Sequence, residues 1–398
     1  MASFLHLADV HLGLRVTRFD DRICQRIREA RMESLENAVG IARQEQVDFV
    51  LVAGDLFDDG AVDSTTARRA HRILAGAELP IYVIPGNHDP LLPGSVWDRP
   101  PWDADSDRIT VLRERAAYEI EAGVMLHACP LFRKTSLTDP TAWIEGEKGA
   151  AELIHVGLAH GSVNDRATLA PDDHLIAVDA ASRLGLDYLA LGHWHGANRF
   201  GQDGGERMAY PGVPEPMGFP GTRQDIGWHS YSDADDGVLF AGVGRGTGLL
   251  VRIDQPGAAP VLEEVQTGVL AWESMVKEIR DKQDLQDVVS WAESKSGTDL
   301  TMLRLVLSGL QTAEMLEQVA ELEQILSGRY LFHDLDTEAL FLEPTNEEIQ
   351  VLAGQGVLRR VYEELVAKIA EGDAQGADLK VLRRAMVLLY RVAREVAS

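Results

Sequence analysis

The chain has 398 residues with 38 basic and 63 acidic side chains, a formal charge of −25, and this length fits one large domain with one or two smaller ones. Such an acidic balance repels a polyanion at long range and excludes nucleic-acid binding by bulk charge, leaving only local basic clusters for that purpose. No apolar run approaches about eighteen residues and no charged-then-apolar leader is visible, while the two cysteines, Cys24 and Cys129, are too few for a disulfide framework. A soluble, cytoplasmic protein with reduced thiols and no membrane association is expected.

In chain order, apolar runs that read as buried strands each lead into side chains suited to binding metal. Phe4 to Ala8 precedes Asp9-Val10-His11, and Val47 to Ala53 precedes Gly54-Asp55. Leu79 to Pro85 precedes Gly86-Asn87-His88-Asp89, Glu152 to Ala159 precedes His160-Gly161, and Leu186 to Leu191 precedes Gly192-His193-Trp194-His195. Ile23 to Arg43 and Thr65 to Ala75 read as amphipathic helices between the first runs, so a layered α/β domain is predicted. Residues at the carboxyl ends of neighbouring strands in such a domain converge on one crevice. Any one motif alone is more often structural than functional; all five in order, each at a strand end, point to chemistry. Imidazole, carboxylate and amide oxygen without a thiolate suit two divalent ions of the manganese, iron or zinc type. One shared carboxylate holds such a pair about 3.5–4 Å apart.

Between residues 15 and 31 the arginines Arg15, Arg18, Arg22, Arg26, Arg28 and Arg31 outnumber the acids Asp20, Asp21 and Glu29. If this stretch is helical, Arg15, Arg18, Arg22 and Arg26 share a face. That face either holds backbone phosphates at the rim of the metal site or is a solvated, salt-bridged stripe. Arg68, Arg69 and Arg72 carry the same ambiguity. The loop from Pro90 to Asp107 contains Trp97 and Trp102, which are expected to pack as the loop's own small core rather than stack on bases. A second aromatic loop, Thr222 to Gly237, carries Trp228, His229 and Tyr231.

The Gly- and Pro-rich stretch from Met208 to Val265 contains β-like runs at Val238 to Val243 and Gly248 to Ile253, expected to complete a second sheet of the core. Past Gly268 the pattern predicts helix over Trp272 to Glu293, strand over Thr301 to Leu307, helix over Ala313 to Leu326 and strand over Tyr330 to Leu342. This α-β-α-β unit has no cluster of metal ligands. From Val357 to Ser398 two helices broken near Gly372 to Gly376 are expected. Val381, Leu382, Ala385, Leu388, Leu389 and Val392 form an apolar stripe there.

The order Asp-x-His, Gly-Asp, Gly-Asn-His-Asp, His, Gly-His-x-His resembles that of the calcineurin-like metallophosphoesterases. Residues 4–13, 53–58, 189–195 and 210–216, the last reading Tyr-Pro-Gly-Val-Pro-Glu-Pro, resemble their SbcD-type DNA-repair nuclease branch. The resemblance covers residues 1–255 well and the remainder in outline. It implies a four-layer α-β-β-α core in residues 1–267, a small α+β capping domain in 268–343 and a helical C-terminal segment in 344–398. Carried over motif by motif, it implies that Asp9, His11 and His195 hold one ion, that Asn87, His160 and His193 hold the other, and that Asp55 bridges them. His88 then acts as general acid with Asp58 as its pairing carboxylate, and manganese is the favoured metal.

The implied activity is a two-metal DNA exonuclease or endonuclease acting at ends or in single strands, with Arg15, Arg18 and Arg22 as candidate DNA contacts. The family also implies a homodimer and an SbcC-type coiled-coil ATPase partner docked on the helical tail, although the tail's stripe can equally pack back on its own cap. The acidic balance favours an alternative, a phosphoesterase for a nucleotide or other small molecule. A scaffold that binds DNA ends without cutting is disfavoured by the intact ligand set.

Overall fold

The computed structural model describes residues 1–145, 152–164, 170, 173–201, 205–220, 232–233, 238–312, 315–342 and 357–375, together with 382, 385, 386 and 389. They form two compact units, one of residues 1–230 and 242–272 and the other of residues 231–241 and 273–398.

Two six-stranded sheets build the first unit. β1 (Ala2–Leu7), β2 (Phe49–Ala53), β3 (Ile81–Ile84) and β4 (Ile109–Val111) run parallel. Beside β1, β13 (Thr247–Ile253) and β14 (Val261–Gln266) add antiparallel, giving the order β14-β13-β1-β2-β3-β4. The second sheet comprises β5 (Ala117–Ile120), β6 (Val124–Cys129), β7 (Ile154–His160), β8 (Tyr188–Gly192), β9 (Asn198–Gly201) and β10 (Glu206–Tyr210) in the order β5-β6-β7-β8-β10-β9.

The central strands are apolar on both faces because both faces are covered. Leu5, Leu7, Val50 and Val52 pack against the helical layer of α1 (Asp21–Gln44) and α2 (Ser64–Ala75). Phe4, Phe49 and Leu51 point the other way and meet Leu126, Val156 and Tyr188 of the second sheet. The outer face of that second sheet is closed by α3 (Ala180–Leu184), Ile144 and Ile176. The α-β-β-α layering is therefore present, with a fourth layer of one short helix and loops. No described helix is long and apolar enough to cross a membrane.

Three sequence expectations are corrected here. The arginine stripe does not form as one helical face, because Asp20 caps α1 by accepting from the Ile23 N–H and leaves Arg15 and Arg18 outside the helix. Arg26 pairs with Glu33 at 3.1 Å, and Arg31 is fully buried. The runs between 208 and 265 do not complete one sheet: β10 joins the second sheet and β13 the first, whereas β12 (Val238–Gly244) pairs with β11 (Ser232–Asp233) in a third.

Trp272 to Glu293 is not one helix. β15 (Ala271–Ile279) alternates Met275, Lys277 and Ile279 into burial, and only after Asp281 caps the next turn does α4 (Lys282–Ser294) begin. With β16 (Thr301–Gln311), α5 (Met315–Arg329) and β17 (Phe332–Leu342), the unit past residue 270 runs β-α-β-α-β, and the third sheet has the order β11-β12-β15-β16-β17. Its core is apolar, with Leu285, Leu303, Leu305 and Leu322 fully buried.

In the tail, α6 (Val357–Gln375) packs Tyr362 against Leu389 and Met386. Of the apolar stripe, Leu389 is thus covered by the tail's own helix; Val381, Leu388 and Val392 lie outside the described residues, as do Trp228, His229 and Tyr231 of the second aromatic loop.

Candidate metal centre

At the carboxyl ends of β1, β2, β3, β7 and β8 the chain turns sharply, and four of the turning residues are non-glycines at positive φ: Asp9 (55°), His11 (50°), Asp55 (52°) and His193 (115°). Each such residue costs about 1–3 kcal/mol and persists only where its surroundings hold it. Here the loops after β1 and β2 hold each other, through Asp9 N–H to Gly54 O, His11 N–H to Asp55 O and Leu12 N–H to Leu56 O at 3.2, 3.0 and 3.0 Å. Gly86 packs so closely that a Cβ there would collide with the Asp55 carboxylate. A Cβ on Gly54 would strike the His160 ring.

These turns bring all seven sequence-predicted ligands together. Nε2 of His11 and Nε2 of His195 face each other at 3.2 Å, and with an Asp9 oxygen they form a group compact enough to hold one ion. Asn87 Oδ1 lies 2.7 Å from His160 Nε2 and 2.9 Å from His193 Nδ1, a second convergence point. Between the two, Asp55 Oδ2 is 3.7 Å from His11 Nε2 and 3.4 Å from His160 Nε2. One carboxylate oxygen central to two imidazole groups is the arrangement a bridging ligand requires.

The far ring nitrogens are anchored, which directs lone pairs inward. His160 Nδ1–H donates to Ala53 O at 2.8 Å, His11 Nδ1–H to Asp58 Oδ1 at 3.2 Å, and His193 Nε2–H to Asp173 Oδ1 at 3.1 Å. With those protons placed outward, Nε2 of His160, Nε2 of His11 and Nδ1 of His193 present lone pairs to the cluster. This donor set, oxygen and imidazole with inward lone pairs, fits a pair of hard-to-borderline divalent ions.

The electrostatics agree. Burial works against charge on every group, yet Asp55 is held well below the carboxylate range because His160 and His11 outweigh it. Burial likewise lowers His160, but Asp55 and Asp9 carry it up to about 9. His11 is raised as its Asp58 hydrogen bond and Asp55 overcome burial. His195, with burial and the neighbouring His11 acting together, is pushed well down. A field that retains protons on buried imidazoles is one that cations can replace.

His88 stands apart from the buried groups, with its side chain 45% exposed and its ring edge-on to His11 at 4.7 Å. Asp58 meets it differently from the sequence expectation. The Asp58 carboxylate lies nearer His11 Nδ1, at 3.2 Å, than His88 Nδ1, at 3.7 Å, and the His88 ring instead donates to the Asp58 backbone carbonyl at 3.1 Å. Spacing along the chain does not distinguish a residue's carboxylate from its own carbonyl.

The roles of four supporting residues were not visible in the sequence. Asp173 anchors His193 and accepts from Ser162 Oγ; an acid in a loop after β7 carries no distinguishing spacing. Asp89, wholly buried, accepts from Phe57 N–H at 2.9 Å and Gly86 N–H at 2.7 Å, tying two ligand loops together. Arg31 donates to Val10 O at 3.0 Å and Pro216 O at 3.4 Å, and Glu215 accepts from Val269 and Leu270 N–H. Arg31 did leave a signal, since it shares the buried face of α1 with Ile27 and Leu35. Trp97 and Trp102 are buried on Phe57 as the expected loop core, and Trp97 Nε1 donates to Asp89 O. Arg15, Arg18 and Arg22 are exposed, with Arg18 stacked over Phe19 and Trp272 at 4.9 and 5.7 Å.

Residues 2–197 match the family model described as calcineurin-like phosphoesterase. The chain is 28% identical over 333 residues to the uncharacterised metallophosphoesterase YhaO of Bacillus subtilis, covering 79% of this chain and 74% of that protein. It is 28% identical to the SbcD component of the SbcCD nuclease of Rhodobacter capsulatus, over 65% of this chain and 73% of the relative. It is 27% identical to the DNA double-strand break repair protein Mre11 of Saccharolobus solfataricus, over 54% and 55%, so the match spans about half of that relative. The converged ligands and these matches identify the chain as carrying a calcineurin-like metallophosphoesterase domain, with Mre11 and SbcD nucleases among its relatives.

Proposed function

We infer that the protein is a two-metal phosphodiesterase acting on DNA at ends or in single strands, the nuclease component of an SbcCD-like repair assembly. The observation that carries the chemistry is Asp55 Oδ2 placed between His11 and His160 with lone pairs turned inward on both sides. In this reading Asp9, His11 and His195 would hold one ion, Asn87, His160 and His193 would hold the other, and both would share Asp55. When bound, two divalent ions supply Lewis acidity toward the phosphoryl oxygens and a lowered pKa for water.

The chain's own residues do the remainder. The Ala53 carbonyl, Asp58 and Asp173 hold the ligand imidazoles in the tautomers that face the cluster. His88, exposed and oriented by the Asp58 carbonyl, delivers a proton from its ring to the departing oxygen. Arg15, Arg18 and Arg22, exposed and next in the chain to the His11 loop, contact backbone phosphates. Manganese suits the oxygen and imidazole ligands. Support for DNA as substrate comes from the SbcD and Mre11 relatives. By the same relationship we assign an SbcC-type ATPase partner, a homodimer and a cytoplasmic location. Residues 268–343 serve as the capping domain.

The acidic balance of −25 favours the second reading, a hydrolase for nucleotides or other small phosphodiesters. Purified protein with manganese is incubated with end-labelled DNA and, separately, with bis(p-nitrophenyl) phosphate, with and without the ATPase partner. Cleavage of both supports the nuclease; hydrolysis of the chromogen with intact DNA at every salt concentration leaves the small-molecule reading.

A further inference from the structure

Beside the metal centre lies a cavity of about 470 Å³ that the proposed chemistry does not use. Its size is that of a small-molecule pocket. Two loops line it, one carrying Arg113, Glu114 and Arg115 between β4 and β5, the other carrying Phe132 and Arg133 after β6, and His174 completes the wall. In a chain of net charge −25 this collects three guanidinium groups against one carboxylate.

The arginines are not equivalent. Arg113 is half-buried and committed to the Trp97 and Trp102 carbonyls. Arg115 and Arg133 are exposed and make no ion pair among the described residues. Phe132 is 38% exposed, and the Arg115 guanidinium lies 5.6 Å from its ring centroid. Two guanidinium groups without an ion partner among the described residues, one of them over an exposed aromatic ring, are a pairing that takes a phosphate by charge-assisted hydrogen bonds and offers the ring to a base for stacking.

The pocket is tethered to the catalytic loops at two points. Leu131, preceding Phe132, donates its N–H to Pro85 O at 3.0 Å, immediately before Gly86-Asn87. His174 follows Asp173, whose carboxylate holds His193 at 3.1 Å. A ligand in the pocket is thereby registered against both halves of the second ion's ligand set.

We propose that this cavity is a nucleoside-phosphate subsite, in which Arg115 and Arg133 hold a phosphate and Phe132 stacks the base, placing an adjoining phosphodiester at the metal centre. It rests on the phosphodiesterase reading above, and it accepts either a nucleotide unit of a DNA strand or a free nucleotide.

The test uses the full, manganese-loaded chain and the variants Phe132→Ala, Arg115→Ala and Arg133→Ala. Binding of thymidine 5′-monophosphate is measured by calorimetry, KM is measured for a single-stranded oligothymidylate, and bis(p-nitrophenyl) phosphate hydrolysis serves as the reference. Binding of the monophosphate and KM for the strand are expected to weaken on the order of 10-fold per substitution, with chromogen turnover unchanged. A weaker strand KM with no monophosphate binding in any protein assigns the pocket to strands; a monophosphate effect alone assigns it to free nucleotides. Wild-type values for both ligands in all variants overturn the subsite, as does a parallel fall in chromogen turnover, which would make these residues supports for the metal loops. If no DNA is cut yet monophosphate binding depends on Phe132 and the arginines, the nuclease reading fails and the subsite stands.

Discussion

The two units share an α/β make-up and both bury charge, but the first crowds like charges together and the second pairs opposite ones. In the first, Asp9, His11, Asp55 and His160 are all at most 2% exposed and crowd the ends of neighbouring strands. In the second, the sheet and helices α4 and α5 meet through leucine, valine and methionine, and the buried charges are matched with opposite ones, Asp284 with Lys277 at 3.8 Å and with Arg280 at 2.9 Å, and Glu273 with Lys295 at 3.0 Å. Burying charge is costly unless it is paired, and Asp9 and Asp55 raise each other's cost as like charges. Burial, with Asp55 opposing His160, holds Asp9 above the usual carboxylate range. A stability-driven fold avoids that arrangement, so the contrast marks the first unit as the one organised for chemistry.

Removing the central carboxylate should have the largest effect. Asp55→Ala is expected to lose one or both ions and take phosphodiester hydrolysis to background; full metal occupancy by elemental analysis in this variant would refute the bridging role. His88→Ala should leave metal content near wild type and lower turnover of the chromogen by about 10²–10⁴-fold. Loss of metal in that variant would instead make His88 a ligand.

Leu305→Ala, in the apolar core of the second unit, probes the other side of the contrast. It should cost about 2–5 kcal/mol of that unit's stability in denaturant titration while metal content stays unchanged. A fall in metal content would show that the two units are energetically coupled.

Glu215 links charge burial to pH. Burial raises its carboxyl to about 7 from an ordinary 4.5. A raised carboxyl pKa means the folded state holds the proton longer, so its contribution is complete below pH 4.5 and is lost as pH rises through about 7. Glu215→Gln should flatten the stability profile over that window by on the order of 3 kcal/mol; an unchanged slope by thermal melts at pH 5 and pH 8 would assign the dependence elsewhere. The smallest effect is expected of Asp173→Asn, which should weaken binding of the second ion by roughly 10–100-fold with little change in the first, read by metal titration calorimetry.

Which residues converge on the site, and their order, were legible in the sequence because both depend on local facts: a buried strand is an apolar run, a strand end is where it stops, and imidazole or carboxylate placed there has little structural reason to be. The same locality made β1, β2, α1 and α2 readable within a few residues. Tertiary structure alone decided the rest. Whether Asp58 turns toward His11 or His88, that Asp173 reaches His193 from 20 residues away, that Val238–Gly244 joins the third sheet while Thr247–Ile253 joins the first, and that Arg113, Arg115 and Arg133 face one cavity are outcomes of long-range packing. Such pairings are settled by which surfaces meet, and the period and composition of a single segment carry no record of its distant partner.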